Sequence, residues 1–151
     1  MEYKVNDQGL NASVFIPFVN KVWPGDYDEE KTQSALSKTL NISAYENNVL
    51  VGCLRILSDG YFFGTITELL VLPEYQKRGI GSKLLDYGTA RLEGYPAYLE
   101  ASTYDSARLY ERRGFLSLGP LGGIFPKAHA VGMVYPAIGP AEVVARAAGQ
   151  A

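Results

Sequence analysis

The stretch from Glu68 to Lys83 holds the residues whose types and spacing could bind an anion. An apolar run ends in a turn, and Gly79 and Gly81 then stand at the start of a helical pattern. Bare backbone at a helix start offers N–H groups to a ligand, and the helix dipole adds partial positive charge. The stretch therefore predicts a phosphate or pyrophosphate site, with Lys77 and Arg78 adding positive charge at its rim.

Two common phosphate motifs do not fit this stretch. A P-loop needs Gly-Lys-Ser/Thr after its first glycine, whereas Gly81, Ser82 and Lys83 stand in another order. The dinucleotide fingerprint needs a third glycine, and Leu84 occupies that position. The two glycines taken alone are equally typical of a tight strand-to-helix turn with no ligand.

The complete string is more specific than its glycines. Residues Gln76 to Gly81, QKRGIG, resemble the Gln/Arg-x-x-Gly-x-Gly/Ala signature of the GNAT acetyltransferase family, and the preceding VLPEY often accompanies that signature. The string from Ala107 to Phe115 resembles the second motif of the family, a helix with a tyrosine that runs into Gly-Phe. The resemblance extends over about Tyr3 to Tyr135, although Tyr104 stands where many relatives have asparagine.

This resemblance implies a fold and a cosubstrate. The fold class is α/β (α+β), a GNAT-type mixed, mostly antiparallel central sheet with helices on both faces, splayed between strands 4 and 5. The cosubstrate is acetyl-CoA, held in that cleft with no metal. A longer acyl donor stays open, because the motif contacts the pyrophosphate. The implied cofactor-binding residues are Leu70, Val71, Gln76, Lys77, Arg78, Gly79, Ile80, Gly81 and Ser82.

Acylation of an amine needs groups that move protons. An alkylammonium with a pKa of about 10.4 is almost wholly protonated at neutral pH and cannot attack a thioester. Glu68 is the candidate base, directly or through water, because it lies in the strand before the glycines and some relatives have a carboxylate there; a salt-bridged structural glutamate is the alternative. A backbone N–H near Val71 is the candidate oxyanion donor. Tyr110 matches the family tyrosine implied to protonate the departing thiolate, and a tyrosine packed on the sheet is the alternative.

The remaining reactive residues favour structural roles. Cys53 lies among apolar strand residues and is predicted to be core, and His129 is predicted to lie in a loop. Residues 23–30, WPGDYDEE, are acidic and aromatic, which suits a pocket for a cationic amine, although acids at a helix start explain them equally well. A solvated helix face is the prediction for Arg108, Arg112 and Arg113.

The elements that position these residues follow from hydrophobic spacing. Helices are predicted over 12–22 and 28–40, from Ile80 to Leu92, and over 105–113. Strands are predicted over 42–45 and 49–57, joined by an Asn47-Asn48 turn, and over about 61–71. Further strands are predicted over 98–101, 115–118 and 130–135.

Composition bounds the class of protein. The 151 residues, 47% hydrophobic, suit one domain over 1–135, followed by a tail over 136–151 that could be a docking helix, a homodimer contact or a frayed end. A net charge of −2 argues against nucleic acid. No stretch reaches the ~20 apolar residues of a membrane span, and one cysteine fits a reducing cytoplasm.

These observations predict an N-acetyltransferase that moves an acetyl group from acetyl-CoA to a primary amine of a small molecule or peptide. The alternative is a non-catalytic CoA-binding regulatory domain of the same fold. The retention of Glu68 and Tyr110 favours the enzyme.

Overall fold

The computed structural model describes residues 1–92, 95–121 and 130–135. These residues form two compact units. Unit 1 comprises Met1–Ser58 and Ile66–Ala90, and unit 2 comprises Asp59–Thr65 and the described residues from Arg91 onward. The predicted loop histidine, His129, and the predicted tail over 136–151 lie outside the described residues. The division into one domain and a tail therefore stays a prediction.

Helices and strands alternate irregularly along the chain. Seven strands, four α-helices and a short 3-10 helix at Pro73–Tyr75 occur in the described residues. The strands are β1 Glu2–Val5, β2 Leu40–Glu46, β3 Val49–Ser58, β4 Gly64–Val71, β5 Ala97–Ala101, β6 Leu116–Pro120 and β7 Val131–Tyr135. The helices are α1 Ala12–Val22, α2 Glu29–Ser37, α3 Ile80–Arg91 and α4 Tyr104–Glu111.

The strands of the described residues form a mixed sheet in the order β1-β2-β3-β4-β5-β7-β6. Four neighbouring pairs are antiparallel: β1 with β2, β2 with β3, β5 with β7, and β6 with β7. The β4–β5 pair is parallel, with Gly64 opposite Ala97 and Thr65 opposite Tyr98 at the start of β4. This topology confirms the predicted fold class, a mixed and mostly antiparallel GNAT-type sheet.

The β2–β3 hairpin turns as its sequence predicts. Asn47 and Asn48 have φ values of 49° and 62°, in the left-handed region that a two-residue hairpin turn requires. Asparagine tolerates that region better than most side chains. The turn sets the register of β3, which the rest of unit 1 depends on.

Strand β3 is the centre of unit 1 and is buried on both faces. On one face a Cβ added to Gly52 would lie 3.0 Å from Ile80 Cγ2, and one added to Gly88 would lie 3.1 Å from Leu54. Helix α3 therefore packs closely on β3, and the two glycines permit that approach. On the other face the Arg55 guanidinium lies 5.5 Å from the centre of the Phe15 ring of α1.

Several element ends differ from the sequence prediction. Strand β1 was not predicted; it is short and pairs at the edge of the sheet with β2. Helix α2 ends at Ser37 rather than residue 40, because Leu40 already belongs to β2. Strand β4 starts at Gly64 rather than near residue 61, because the Asp59 carboxylate accepts backbone N–H groups of the intervening turn. Helix α4 starts at Tyr104, one residue early, because Thr103 and Ser106 form a capping box.

Cys53 and Arg108 have the structural roles that the sequence predicts for them. Cys53 is 1% exposed, which confirms it as core, and burial raises the pKa of its thiol to about 12. Arg108 is exposed and pairs with Asp105 within α4, as expected of a solvated helix face. In the described residues no helix is long and apolar enough to cross a membrane. The same residues hold no cluster of three or more acidic, histidine or cysteine side chains suited to a metal.

Candidate active site

The loop before α3 is shaped by two residues with left-handed backbone. Lys77 has a φ of 59° and Gly79 a φ of 81°. Turns of this kind gather successive N–H groups into a concave surface that suits an anion. The N–H of Lys83 donates to the carbonyl of Gly79 at 3.0 Å, at the start of the helix. The N–H groups of residues 80–82 stand in the first turn, where a helix supplies them with no acceptor.

At Gly81 the fold itself does not explain the absence of a side chain, which points to a ligand. Its φ lies outside the left-handed region, and an added Cβ would meet only Val71 Cγ2, at an ordinary 3.7 Å, among the described residues. Neither backbone conformation nor packing requires glycine there. A bare backbone beside the N-terminus of a 12-residue helix is instead what the approach of a pyrophosphate would require. The residues present therefore fit the phosphates of a coenzyme A ester.

The other side chains of this segment have partners that limit their roles. The Gln76 amide donates to the Val71 carbonyl at 3.1 Å and so braces the loop against the end of β4. Arg78 pairs with Glu46 at 2.9 Å and lies over the Tyr75 ring, so its charge is partly neutralised. Leu70 and Ile80 are buried in unit 1, which leaves only their backbone for a ligand. Each of these residues stays a predicted contact of the cosubstrate.

The Glu68 carboxylate lies in a polar cluster at the middle of β4. Its Oε1 accepts from the Arg55 guanidinium at 2.9 Å, and its Oε2 accepts from the Thr67 hydroxyl. The Thr67 hydroxyl also lies 3.4 Å from the Arg55 carbonyl. The Thr67 hydroxyl and the Arg55 guanidinium therefore hold the two carboxylate oxygens of Glu68 from different strands.

Glu68 lines a pocket that opens beside the first two helices, here called the amine-side pocket. Its volume is about 400 Å³ and all of its lining residues belong to unit 1. The acidic-aromatic segment predicted from the sequence contributes Trp23, Asp26, Tyr27 and Asp28 to the same pocket. The structure therefore brings together the candidate base and the segment predicted to attract a cationic amine.

The structural explanations for these residues hold at the same time. Asp28 caps α2 by accepting the N–H of Lys31 at 2.8 Å, and Glu29 and Glu30 stand in the first turn. The Tyr27 hydroxyl donates to the Trp23 carbonyl at 2.7 Å, which closes the connection between α1 and α2. A capping carboxylate uses one oxygen for the helix and can still present the other to the pocket.

Tyr110 lies in unit 2, near the end of α4. Its side chain is 8% exposed, and its ring packs edge-to-face on Phe115 with the centroids 5.6 Å apart. The Tyr110 carbonyl accepts the N–H groups of Arg113 and Phe115, and Gly114 between them has a φ of 90°. Burial raises the pKa of the Tyr110 phenol to about 12. The group therefore keeps its proton throughout the neutral range.

Sequence reasoning missed Arg55. This arginine is 9% exposed and touches Glu68, Thr39 and the face of the Phe15 ring. A single charge inside the otherwise apolar run of β3 was the available signal, since buried arginines are almost always paired. The sequence could show that Arg55 needs a carboxylate, but it could not show that the partner is Glu68.

Comparison with known proteins identifies the family. Residues 12–115 match the Acetyltransferase (GNAT) family, and the chain belongs to that family. The chain is also similar to protein FG08082 of Gibberella zeae, which is named provisionally as an acetyltransferase, with 39% identity over 46 residues. That match covers 30% of this chain and 26% of the relative, so the chain corresponds to about a quarter of that protein.

Solved structures show the same fold at low identity. An aminoglycoside 6'-N-acetyltransferase complexed with coenzyme A is 16% identical, with a TM-score of 0.65, over 91% of this chain and 98% of that one. The ribosomal-protein-S18-alanine N-acetyltransferase from Escherichia coli is 19% identical, with a TM-score of 0.66, over 92% and 96%. By their names, these two proteins acetylate very different acceptors. The likeness therefore establishes the fold and leaves the acceptor to the residues of this chain.

Proposed function

We propose that this protein transfers an acetyl group from acetyl-CoA to a primary amine of a small molecule or peptide. Membership of the GNAT acetyltransferase family supports acyl transfer, and the coenzyme A complex of a structural relative supports an acyl-CoA cosubstrate. The observation that supports an amine acceptor is the amine-side pocket, where Glu68 shares a cavity with Asp26, Asp28 and three aromatic rings. An ammonium ion is attracted by both carboxylates and aromatic faces.

Bound acetyl-CoA would supply an acetyl group activated as a thioester. The loop and first turn of α3 hold the phosphates through backbone N–H groups, and Gln76 keeps that loop against β4. The role of the loop is therefore binding and orientation. A backbone N–H near Val71 is the proposed donor to the oxygen that becomes negative during transfer.

Glu68 is proposed to accept the proton that the amine must lose. Both of its oxygens already accept one hydrogen bond, from Arg55 and from Thr67. An ionised carboxylate oxygen has two lone-pair positions, so each can accept a further proton or a bridging water. Arg55 and Thr67 then hold the carboxylate in a fixed orientation while it serves as the base.

Tyr110 is proposed to assist the departing sulfur. A phenol of pKa about 12 is a weaker acid than a thiol of pKa about 8.5, so complete transfer of its proton to the thiolate is unfavourable. A hydrogen bond from the phenol to the sulfur still stabilises the developing charge. The sulfur departs as a thiolate that takes up a proton from solvent, and Glu68 returns to solvent the proton that it accepted from the amine.

An amine panel tests this proposal. Purified protein is incubated with acetyl-CoA and each amine, and free thiol and acetylated product are measured together. Thiol release that depends on the amine, with product of the expected mass, supports an N-acetyltransferase. Tight acetyl-CoA binding with no product from any amine would instead indicate a CoA-binding regulatory domain.

A further inference from the structure

A second pocket adjoins the amine-side pocket in unit 1 and has a more cationic lining. This adjoining pocket has a volume of about 400 Å³, and among the described residues its lining includes three cationic residues, three hydroxyl residues and no carboxylate. The cationic residues are Lys31, Lys38 and Arg55, and the hydroxyl residues are Ser34, Thr39 and Thr67. An opening with this composition suits an anion.

The helix α2 presents one continuous face to this opening. Lys31, Ser34 and Ala35 are spaced i, i+3 and i+4 on one side of the helix, and Lys38, the C-cap residue directly after α2, continues that side at i+7. Among the described residues, no carboxylate lies within ion-pair distance of the ammonium group of Lys31 or Lys38. The Lys31 backbone N–H is bonded to Asp28, but its side-chain charge is not. The two lysines therefore hold positive charge that the described fold does not neutralise.

The two pockets share a wall. Lys31, Ala35 and Arg55 line both of them, so the acidic-aromatic cavity and the cationic opening lie side by side. On the amine side the Arg55 charge is neutralised by Glu68 at 2.9 Å, and its Nε lies 3.3 Å from the Thr39 hydroxyl on the other side. A molecule that spans this wall would meet negative charge at one end and positive charge at the other.

We propose, building on the proposed function, that the acceptor has an anionic group, a carboxylate or a phosphate, in addition to its amine. The amine occupies the amine-side pocket near Glu68, and the anionic group lies in the adjoining pocket against Lys31 and Lys38. This arrangement selects amines with an acidic group over uncharged amines of the same length. It also selects against polyamines, whose second cation would face the two lysines.

Matched amines test this specificity. Alkylamines of graded length are compared with the corresponding ω-aminoalkanoates and ω-aminoalkyl phosphates as acceptors, at low ionic strength. Wild-type kcat/KM should be higher for one of the anionic series at the length that spans the wall, and added salt should reduce the preference. The carboxylate and phosphate series separate the two sources of the anion.

Lysine variants locate the preference in the adjoining pocket. Both lysines are exposed, so Lys31→Gln and Lys38→Gln should each lower kcat/KM for the preferred anionic amine by roughly two- to five-fold, and the double variant by about ten-fold. Lys38 lines only the adjoining pocket, so in Lys38→Gln the kcat/KM for the uncharged amine should change by less than about two-fold. Lys21→Gln removes an exposed lysine of α1 outside both pockets and is the matched control, with no expected change.

The outcomes separate this inference from the proposed function. Turnover with no preference for anionic amines overturns the proposed anion site in the adjoining pocket and leaves the N-acetyltransferase standing. Equal losses for charged and uncharged amines in the lysine variants do the same. Calorimetry of the ω-amino acids and ω-amino phosphates with the resting protein gives a second measurement. Binding that weakens by roughly two- to five-fold in Lys38→Gln, without turnover of any amine, supports the anion site in the adjoining pocket and overturns the proposed N-acetyltransferase activity. If the protein neither binds these compounds nor turns over any amine, both the anion site and the N-acetyltransferase activity are overturned.

Discussion

Tyr110 illustrates how burial and chemistry combine in one residue. Its ring is packed on Phe115, as the structural explanation from the sequence requires, and its phenol is held protonated, while its role toward the departing sulfur stays a prediction. The Tyr110→Phe variant keeps the packed ring and removes only the hydroxyl. We expect kcat to fall by roughly 10- to 1,000-fold, with the KM for acetyl-CoA changed by a few-fold at most. Steady-state kinetics at saturating amine measure both values, and a wild-type kcat would assign Tyr110 to packing.

The raised pKa of Tyr110 also predicts an effect on alkaline stability. The folded protein holds the phenolic proton up to about pH 12, whereas the unfolded chain releases it near pH 10. Between these values the folded state binds more protons, so stability falls as pH rises through that range. Tyr110→Phe should therefore lose roughly 1 kcal/mol less stability than wild type between pH 9 and pH 11. Urea unfolding at the two pH values measures this difference, and identical losses would contradict it.

Glu68 can be tested by changing the acceptor as well as the residue. Glu68→Gln keeps one oxygen for Arg55 but cannot accept a proton, so acetyl-CoA binding should persist while transfer slows. The loss of kcat/KM should be greater for a strongly basic alkylamine than for a weakly basic arylamine that is already neutral at the assay pH. Glu46→Gln is the matched control, because Glu46 also pairs with an arginine at 2.9 Å but does not line the amine-side pocket. Equal losses for the two amines would indicate a structural Glu68.

At the scale of elements, a glycine of β3 that faces α3 and a glycine in the first turn of α3 serve two different purposes. Gly52 faces α3 across a gap that a Cβ would overfill, whereas Gly81 has room for a methyl group. Gly81→Asp should therefore fold and lose acetyl-CoA binding, because a carboxylate would enter a site made of backbone donors. Gly81→Ala should fold and bind more weakly, and Gly52→Ala should lower stability by roughly 1–3 kcal/mol. Calorimetry and thermal unfolding measure the two effects, and unchanged affinity in Gly81→Asp would restrict its role to the turn.

The elements show which features the sequence could predict. The Asn47-Asn48 turn and the helix over 12–22 have local signals, and both are confirmed. The end of α2 had no local signal, because Leu40 is apolar at a helical spacing and is drawn into β2 by pairing with Ile56. Strand β1 is short and polar, and only its pairing with β2 defines it. Tertiary pairing therefore decided the boundaries that local propensity could not.

The candidate site divides in the same way. The glycine motif and Tyr110 were predicted as site residues because their spacing within the sequence resembles a known family. The pairing of Arg55 with Glu68 joins residues 13 positions apart through adjacent strands, so it depends on the register of the sheet. The helical spacing of the two lysines is visible in the sequence, but only the pocket beside them indicates that they could bind an anion.

At the scale of the whole molecule, the reactivity of the Cys53 thiol measures the opening of unit 1, and this measurement needs no amine acceptor. It is the only cysteine of the chain, it lies at the centre of unit 1, and its side chain is 1% exposed. Burial raises the pKa of its thiol to about 12, so the native thiol is both inaccessible and protonated near pH 8. Labelling by a thiol reagent therefore requires unit 1 to open, after which the thiol regains a pKa of about 8.5.

Acetyl-CoA should slow this labelling, because the loop that binds it belongs to unit 1 and its shape is lost when the unit opens. A ligand that binds only the closed form reduces the open population by the factor 1 + [L]/Kd, or about 100-fold at a hundred times Kd. Gly81→Asp should lose this protection while keeping the slow labelling of the free protein, which separates loss of binding from loss of fold. Rapid labelling of the free wild-type protein would contradict the buried position of Cys53. Slow labelling that acetyl-CoA leaves unchanged in the wild type would instead contradict the predicted binding loop, whatever amine is later found to be the acceptor.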